Sequence, residues 1–225
     1  MIVKSQGLVL RKIPHKENSV VVHILTREFG KLGFLVRGIN SKKSTAALYQ
    51  PGMLLDVVFY KSNTQGLCTM KEVSPINRSA LSPLAGMLQQ IMLEMVIKSL
   101  SEEQADPDVF DYIKEYLLAL PKAKLTYFLI EFSIGLANEM GCAIPLVSHQ
   151  SNAVNAVYEG MILQNTQDRF TKEDITALEC IENKIDPELN RQQRGFLLHK
   201  IMKYYSLHIT QGKEILGLKV MEQLL

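Results

Sequence analysis

The chain has 225 residues, 47% apolar and 21% charged, and this ordinary globular composition excludes a low-complexity or collagen-like chain. No apolar run reaches the roughly 18 residues that a membrane span needs, and the first residues alternate like a strand without a signal-peptide pattern, so we expect a soluble cytoplasmic protein. The three cysteines, Cys68, Cys142 and Cys180, are too few and too far apart for a disulfide framework or a paired Cys-x-x-Cys metal site.

The net charge of +2 conceals a strong asymmetry along the chain. Residues 1–80 contain 12 Lys and Arg against 4 Asp and Glu, whereas residues 81–225 contain 13 against 19. Such a contrast predicts a basic module that meets a polyanion, followed by an acidic remainder with another role. A solvated basic face that only keeps the protein soluble is the alternative interpretation.

The first 80 residues have the pattern of β-strands. Five runs of strand length, rich in β-branched or apolar residues, are separated by turn-rich segments: GLVLRKI from Gly7, SVVVHILT from Ser19, KLGFLVRG from Lys31, MLLDVVFYK from Met53 and GLCTMKEVS from Gly66. Five short strands are too few for a typical sandwich and fit a small barrel, of which the OB-fold is the best-known example. We therefore predict an OB-fold β-barrel over residues 1–80.

Beyond Ser82-Pro83 the apolar residues recur at helical spacing, which predicts a mainly α-helical domain over residues 81–225 and an α+β chain overall. Asp106-Pro107 and Asp186-Pro187 give two further helix starts, Gly141 ends a third helix, and Thr171 with Asp174 forms an approximate capping box. Residues 142–170 break the periodicity and predict an irregular segment with a short hairpin around Gly160.

Catalytic and metal-binding patterns are weak. The five histidines are scattered, and the chain has neither a Gly-x-Ser-x-Gly elbow nor a phosphate loop ending in Gly-Lys-Ser or Gly-Lys-Thr. Cys142 and His149 are only two potential zinc ligands, whereas a structural site needs four. The sequence thus predicts a protein that is not an enzyme and has no metal site and no cofactor.

The basic module carries the functional prediction. Strand alternation allows its cations to point away from the barrel core, and Ser, Asn and Thr beside Lys42 and Lys43 add donors for phosphate. Its few aromatic residues lie mostly within apolar strands, so we expect electrostatic binding with little sequence preference. The candidate DNA-binding residues are Lys4, Arg11, Lys12, Lys16, Arg27, Lys31, Arg37, Lys42 and Lys43.

Three stretches resemble the bacterial recombination mediator family RecO. Residues 7–44, GLVLRKIPHKENSVVVHILTREFGKLGFLVRGINSKKS, have the strand, turn and Lys/Arg/Ser loop of the family's opening. YQPGMLLDVVFY, residues 49–60, is similar to a further family motif, and RGFLLHKIMKYYSLHITQGKEILGLKVMEQL resembles the family's closing helices.

The resemblance implies an N-terminal OB-fold, a helical C-terminal domain and a non-enzymatic role in DNA repair. Family members bind single- and double-stranded DNA, anneal complementary strands, and act with RecR to load RecA onto DNA coated by single-strand binding protein. They work in the bacterial cytoplasm, where this DNA forms the nucleoid. Many carry a Cys-rich zinc module, but the segment CAIPLVSHQSNAVNAVYEGMILQ here has one Cys and one His, which favours a metal-free hairpin.

A groove on the family's helical domain takes the acidic, apolar C-terminal tail of single-strand binding protein, and cations beside an apolar cleft suit that ligand. The candidates for this contact are Lys122, Lys124, Arg191, Arg194, Lys200 and Lys203. Two other functions remain open from the residues: an RNA-binding OB protein of translation, and a protein-protein adaptor whose barrel is only structural.

Overall fold

The first 75 residues of the computed structural model contain five described β-strands, which close into a barrel in the order β1-β2-β3-β5-β4. They are β1 Ile2–Pro14, β2 Ser19–Thr26, β3 Gly30–Arg37, β4 Leu54–Tyr60 and β5 Cys68–Pro75. Neighbouring strands are antiparallel except β3 and β5, which pair in parallel at Phe34 with Cys68 and at Leu35 with Thr69. The five predicted strands and the OB-fold barrel are confirmed.

The barrel core is built from the inward-facing residues of each strand. Val22 and Ile24 of β2 and Phe34 of β3 are fully buried, and Phe59 of β4 meets Phe34 edge to face with ring centroids 5.0 Å apart. Burial of each large apolar side chain contributes roughly 1.5–3 kcal/mol to folding. The prediction that the aromatic residues of the module serve mainly for packing is confirmed for these two and for Tyr49, which is also buried.

The structure describes residues 1–38, 46–61, 66–76, 79–102, 104–144 and 170–217, and the chain forms two compact units, 1–122 and 123–225. The first unit contains the barrel and the helices α1 Pro83–Ser99 and α2 Pro107–Ala119. Ser82 and Asp106 cap these helices as predicted, each accepting a hydrogen bond from a backbone N–H of the first turn. The predicted boundary near residue 80 therefore marks the change from strands to helices, whereas the compact unit continues to Lys122.

The second unit is formed, in its described part, by α3 Phe128–Glu139, α4 Lys172–Glu182 and α5 Arg191–His208. Helix α3 contacts both α4 and α5, and the buried Tyr205 of α5 donates a hydrogen bond of 2.6 Å to the carbonyl oxygen of Ser133 in α3. Gly141 ends α3 with φ of +69°, and Thr171 with Asp174 forms a full capping box at α4, both as predicted.

Helix α5 does not begin at Asp186-Pro187, so that prediction is wrong. Asn190 is the N-cap of α5, in a capping box with Gln193. The Asp186 carboxylate instead accepts hydrogen bonds from the Tyr127 hydroxyl and the Glu188 N–H, and these contacts hold it in a loop ahead of the helix. The predicted hairpin near Gly160 lies outside the described residues, and the three cysteines are free thiols.

Candidate nucleic-acid interface

A β-bulge at Leu10 decides which face of the barrel each cation of β1 occupies. Val9 pairs with Ile24, but Arg11 already pairs with His23, so one extra residue is inserted between these two pairs. The insertion reverses the alternation of faces along the strand. As a result Arg11 lies on the outer face beside His23, whereas Lys12 pairs with Val22 on the core face.

The exposed cations gather where the loop between β1 and β2 meets the end of β3. Lys16 lies in this loop, and Arg37 is the last residue of β3, opposite Ser19 of β2. The Gly38 N–H donates to the Asn18 carbonyl oxygen at 2.9 Å, which fixes the end of β3 against the loop. In OB-folds, the first loop and the face of strands 2 and 3 are the usual contact surface for oligonucleotides. Arg11, Lys16 and Arg37 therefore form the loop-end cation cluster, the name used below.

Arg27 has an intramolecular partner. Its Nε donates to both carboxylate oxygens of Asp111 at 3.0 Å, and its Nη2 reaches Oδ2 at 2.7 Å. This forked geometry is the strongest pairing that a guanidinium makes with a carboxylate. The bond from Arg27 also lowers the pKa of Asp111 below its ordinary value. Because its charge is matched by α2, Arg27 is not part of the candidate interface.

Lys31 also serves the fold of the first unit. Its ammonium group donates to the carbonyl oxygens of Ile97, at 3.2 Å, and Leu100. These carbonyl groups lie at the C-terminal end of α1, where free acceptors and the negative end of the helix dipole favour a cation. Lys31 thus fastens α1 to the outer face of β3 and is likewise removed from the interface.

Lys4 lies in a different electrostatic environment. It borders a shallow cleft on the outside of β1, β4 and β5 together with the acidic residues Glu28, Asp56 and Glu72. Three carboxylates around one ammonium group make this region unfavourable for phosphate. Lys4 therefore does not join the loop-end cation cluster, and Lys42 and Lys43 lie outside the described residues.

The gap between β3 and β5 was not predicted from the sequence. Beyond their two paired positions the strands diverge and leave a cleft of about 530 Å³ lined by Arg37, Tyr49, Met70 and Lys71, among others. Lys71 is exposed, borders the cleft together with Arg37, and pairs with Glu72 at 3.3 Å. The sequence analysis did not identify Lys71, because β3 and β5 are far apart along the chain and their divergence leaves no local sequence pattern.

The pairing of Arg27 with Asp111 predicts a pH-dependent stability. Because the folded pKa of Asp111 is lowered, its carboxylate stabilises the folded state above the ordinary value of 3.8, and this contribution is lost as the pH falls through the folded pKa. The difference in unfolding free energy between the parent and Asp111→Asn should be constant from about pH 7 to 5 and shrink below about pH 4. Urea titrations at several pH values measure it. Glu115→Gln, one turn further along α2, is the control, and a pH-independent difference for Asp111→Asn would refute the assignment.

In the second unit, several of the predicted partner-binding cations are held by neighbouring groups. Lys124 pairs with Asp186 at 3.2 Å, Arg194 donates to the Leu189 carbonyl oxygen at 2.6 Å, and Lys200 contacts Asp174. Arg191 and Lys203 also lie on α5, and within the described ranges neither of these two side chains forms an ion pair. Lys122 is the last residue of the first unit.

Neither a metal-binding cluster nor a membrane-spanning helix is found in the described part of the chain. It contains no group of three or more His, Cys, Asp or Glu side chains placed to hold a metal ion. It also contains no helix with the length and apolar content that a membrane crossing requires.

A closed five-stranded barrel with this strand order, followed by helices, defines an OB-fold protein with a helical C-terminal part. Residues 1–79 match the family model described as Recombination protein O N terminal, and residues 78–153 match Recombination protein O C terminal. The chain therefore belongs to the RecO family, whose function is in DNA repair and recombination.

Individual relatives agree with this assignment, two of the three below over nearly the whole chain. The DNA repair protein RecO of Azobacteroides pseudotrichonymphae genomovar. CFP2 is 22% identical over 236 residues, covering 98% of each chain. That of Bacteroides fragilis (strain YCH46) is 24% identical over 241 residues, covering 100% of this chain and 99% of the relative. That of Chlorobaculum parvum (strain DSM 263 / NCIMB 8327) is 37% identical over 86 residues, covering 38% of this chain and 32% of the relative.

Proposed function

We propose that this protein is a non-enzymatic recombination mediator that binds DNA through the loop-end cation cluster and anneals complementary single strands. The observation that supports the proposal is the position of Arg11, Lys16 and Arg37 on the part of an OB barrel that generally meets oligonucleotides. Annealing requires two polyanions to be held together while their bases stay accessible. Cations on a surface poor in aromatic residues suit this task, because they neutralise phosphates without trapping the bases.

Family membership extends the proposal to partners. We infer that the protein acts with RecR to help load RecA onto DNA coated by single-strand binding protein, and that it binds both single- and double-stranded DNA. This activity places it in the bacterial cytoplasm at the nucleoid.

The second unit offers a surface for the acidic, apolar tail of single-strand binding protein. Phe196 of α5 is 60% exposed, and Lys203 lies two turns further along the same side of the helix. Arg191 adds a cation at the start of α5. An exposed aromatic ring near cations complements a peptide that carries both acidic and apolar residues. Because Lys124, Arg194 and Lys200 already contact neighbouring groups, we expect them to contribute less to binding of the tail than the sequence alone predicts.

Filter binding of the full chain to single-stranded DNA between about 50 and 300 mM salt tests the proposal. With about five phosphate contacts, the logarithm of the binding constant should fall with a slope near −3.5 per log unit of salt. The protein should also accelerate the annealing of complementary oligonucleotides in the same buffer.

Two outcomes would favour other functions. Preference for RNA over single-stranded DNA of the same length and sequence would indicate recognition of the ribose 2′-hydroxyl and an RNA-binding role. Absence of DNA binding at moderate salt, with protein partners retained in a pull-down, would indicate an adaptor whose barrel is only structural.

A further inference from the structure

One edge of β3 is covered along most of its length and open at its end. Strand β2 pairs with the opposite edge over the whole of β3. On this edge, Lys31 forms a bridge with Glu102 of the segment after α1, and residues 34–35 pair with β5. Within the described ranges, residues 36–37 have no strand partner on this side. The end of β3 therefore leaves backbone groups available.

Strand β5 leaves a longer edge open. It pairs with β4 along one edge as far as Pro75, whereas its other edge pairs with β3 only at Cys68 and Thr69. From Met70 to Pro75, the part of the chain that the structure describes provides no strand on this second side. Six residues of extended chain span about 20 Å. Because proteins usually cover their strand edges, an open edge of this length can pair with another extended segment.

The cleft between these two open edges is lined largely by apolar side chains of the barrel core. Val36 and Tyr49 are buried, and Met70 and Val73 are half-buried and pack against the same core. Successive side chains of a strand point to opposite faces. A segment paired with β5 would therefore place every second side chain against this lining, where burial favours aliphatic residues.

Cations border the cleft. Arg37 ends β3, is exposed and forms no ion pair within the described ranges. Lys71 is the extra residue of a β-bulge, since Met70 and Glu72 pair with adjacent residues of β4. The side chains of Lys71 and Glu72 are both exposed, so solvent screens their pairing and the ammonium group can exchange partners. These cations favour a segment whose remaining side chains, the ones that point away from the apolar lining, carry negative charge.

Two other occupants fit the cleft less well. A strand edge presents both N–H donors and carbonyl acceptors, whereas the phosphates of a nucleic acid only accept hydrogen bonds. A second copy of β5 would bring its own Lys71 and Arg37 towards the same cations, and like charges on paired strands are destabilising. A peptide backbone supplies donors and acceptors in the alternation that the edge requires, and acidic side chains complement its cations.

We propose that the cleft between β3 and β5 binds an extended segment of a partner protein, in which aliphatic residues alternate with Asp or Glu, by adding it as a strand to the open edge of β5. The residues of this site differ from those of the peptide surface on α5, and the site does not depend on DNA binding. Arg37 belongs both to the cleft and to the loop-end cation cluster, so an occupied cleft makes it less available to DNA.

Fluorescence anisotropy of the full chain with the labelled, end-blocked peptide Gly-Val-Asp-Val-Glu-Val-Asp-Gly tests the site at about 0.15 M salt, where exposed charges are partly screened. Two further peptides carry N-methyl groups, one on its valines and the other on its acidic residues. The N–H groups of alternate residues point to opposite sides of a strand. At least one methylated peptide should therefore bind about tenfold more weakly than the parent peptide, because it cannot donate to the carbonyl groups of β5. Amide hydrogen exchange of residues 70–74 should slow when the parent peptide saturates the protein.

Single substitutions distinguish the cleft from the DNA surface. Lys71→Gln should weaken peptide binding about two- to fivefold, the effect of losing one exposed ion pair, and leave binding of single-stranded DNA unchanged. Lys16→Gln should have the reverse effect, and Arg37→Gln should weaken both. Phe196→Ala, which alters the peptide surface on α5, should leave the affinity for this peptide unchanged.

The outcomes for the peptide and for DNA are separate. If the protein does not bind the peptide, or if neither methylated peptide binds more weakly, strand addition at β5 is refuted while the DNA-binding function stands. Equal losses of peptide affinity in Lys16→Gln and Lys71→Gln also refute it, because the peptide then binds only as a polyanion at the loop-end cation cluster. Loss of peptide binding in Phe196→Ala would place the peptide on α5 and refute the cleft. A protein that binds the peptide in the expected pattern but no DNA refutes the DNA-binding function alone.

Discussion

The variant that carries Arg11→Gln, Lys16→Gln and Arg37→Gln is expected to bind single-stranded DNA about 100-fold more weakly than the parent at 0.1 M salt. Each phosphate contact releases about 0.7 of a counterion, which corresponds to roughly a fivefold gain in affinity at 0.1 M relative to 1 M salt. Loss of three contacts should therefore reduce the salt slope by about 2. The three side chains lie at one end of the barrel, so their removal takes away one continuous site. Filter binding across a salt series measures both quantities.

A pair of single substitutions distinguishes the effect of a cation's position on DNA binding from the effect of net charge. Arg37→Gln and Lys4→Gln each remove one exposed cation from a strand of the same barrel, but Lys4 lies among Glu28, Asp56 and Glu72. We expect Arg37→Gln to flatten the salt slope by about 0.7 and Lys4→Gln to leave it unchanged. Equal effects of the two would mean that only net charge matters and that the loop-end cation cluster is not a site.

Gly30→Ala is expected to destabilise the protein by roughly 2–4 kcal/mol. Gly30 has φ of +68°, a conformation that an alanine adopts only with strain. A Cβ atom there would also lie 2.7 Å from the backbone oxygen and 2.9 Å from the backbone nitrogen of Gln104. Backbone atoms cannot rotate away as a side chain does, so the segment that follows α1 would have to move. The unfolding free energy from urea titration measures this loss.

Gly86→Ala, in contrast, is expected to stabilise the protein. Gly86 lies in α1, no atom would be within 4 Å of an added Cβ, and its φ is not positive. Alanine should stabilise the helix by about 0.5–1 kcal/mol. If Gly30→Ala lowers the unfolding free energy no more than Gly86→Ala does, the close contact between Gly30 and the Gln104 backbone is refuted.

Local signals made the secondary structure predictable. The apolar runs found all five strands, and the Ser-Pro and Asp-Pro pairs located the starts of α1 and α2, because capping depends on residues only two or three positions away. The same signal failed at Asp186-Pro187. There the carboxylate binds the hydroxyl of Tyr127, a residue 59 positions earlier, which no local pattern could show.

The candidate site was predictable only in part. Composition located an excess of cations in the first 80 residues, but it could not assign them to faces. The single residue inserted at Leu10 decided that Arg11, and not Lys12, lies on the outer face. Arg27 and Lys31 were assigned to phosphate, yet their partners come from helices 84 and 66 residues away along the chain.

The sequence alone determined the class of fold, the family and the basic character of the barrel segment, since strand periodicity, capping residues and charge are properties of the chain itself. Tertiary structure decided which cations remain exposed. Seven acids in residues 81–122 belong to the same compact unit as the barrel, and Asp111, one of them, pairs with Arg27. Strand register and ion pairing join residues that are distant along the chain. For this reason the surface that we propose for DNA is the end of the barrel near Arg11, Lys16 and Arg37.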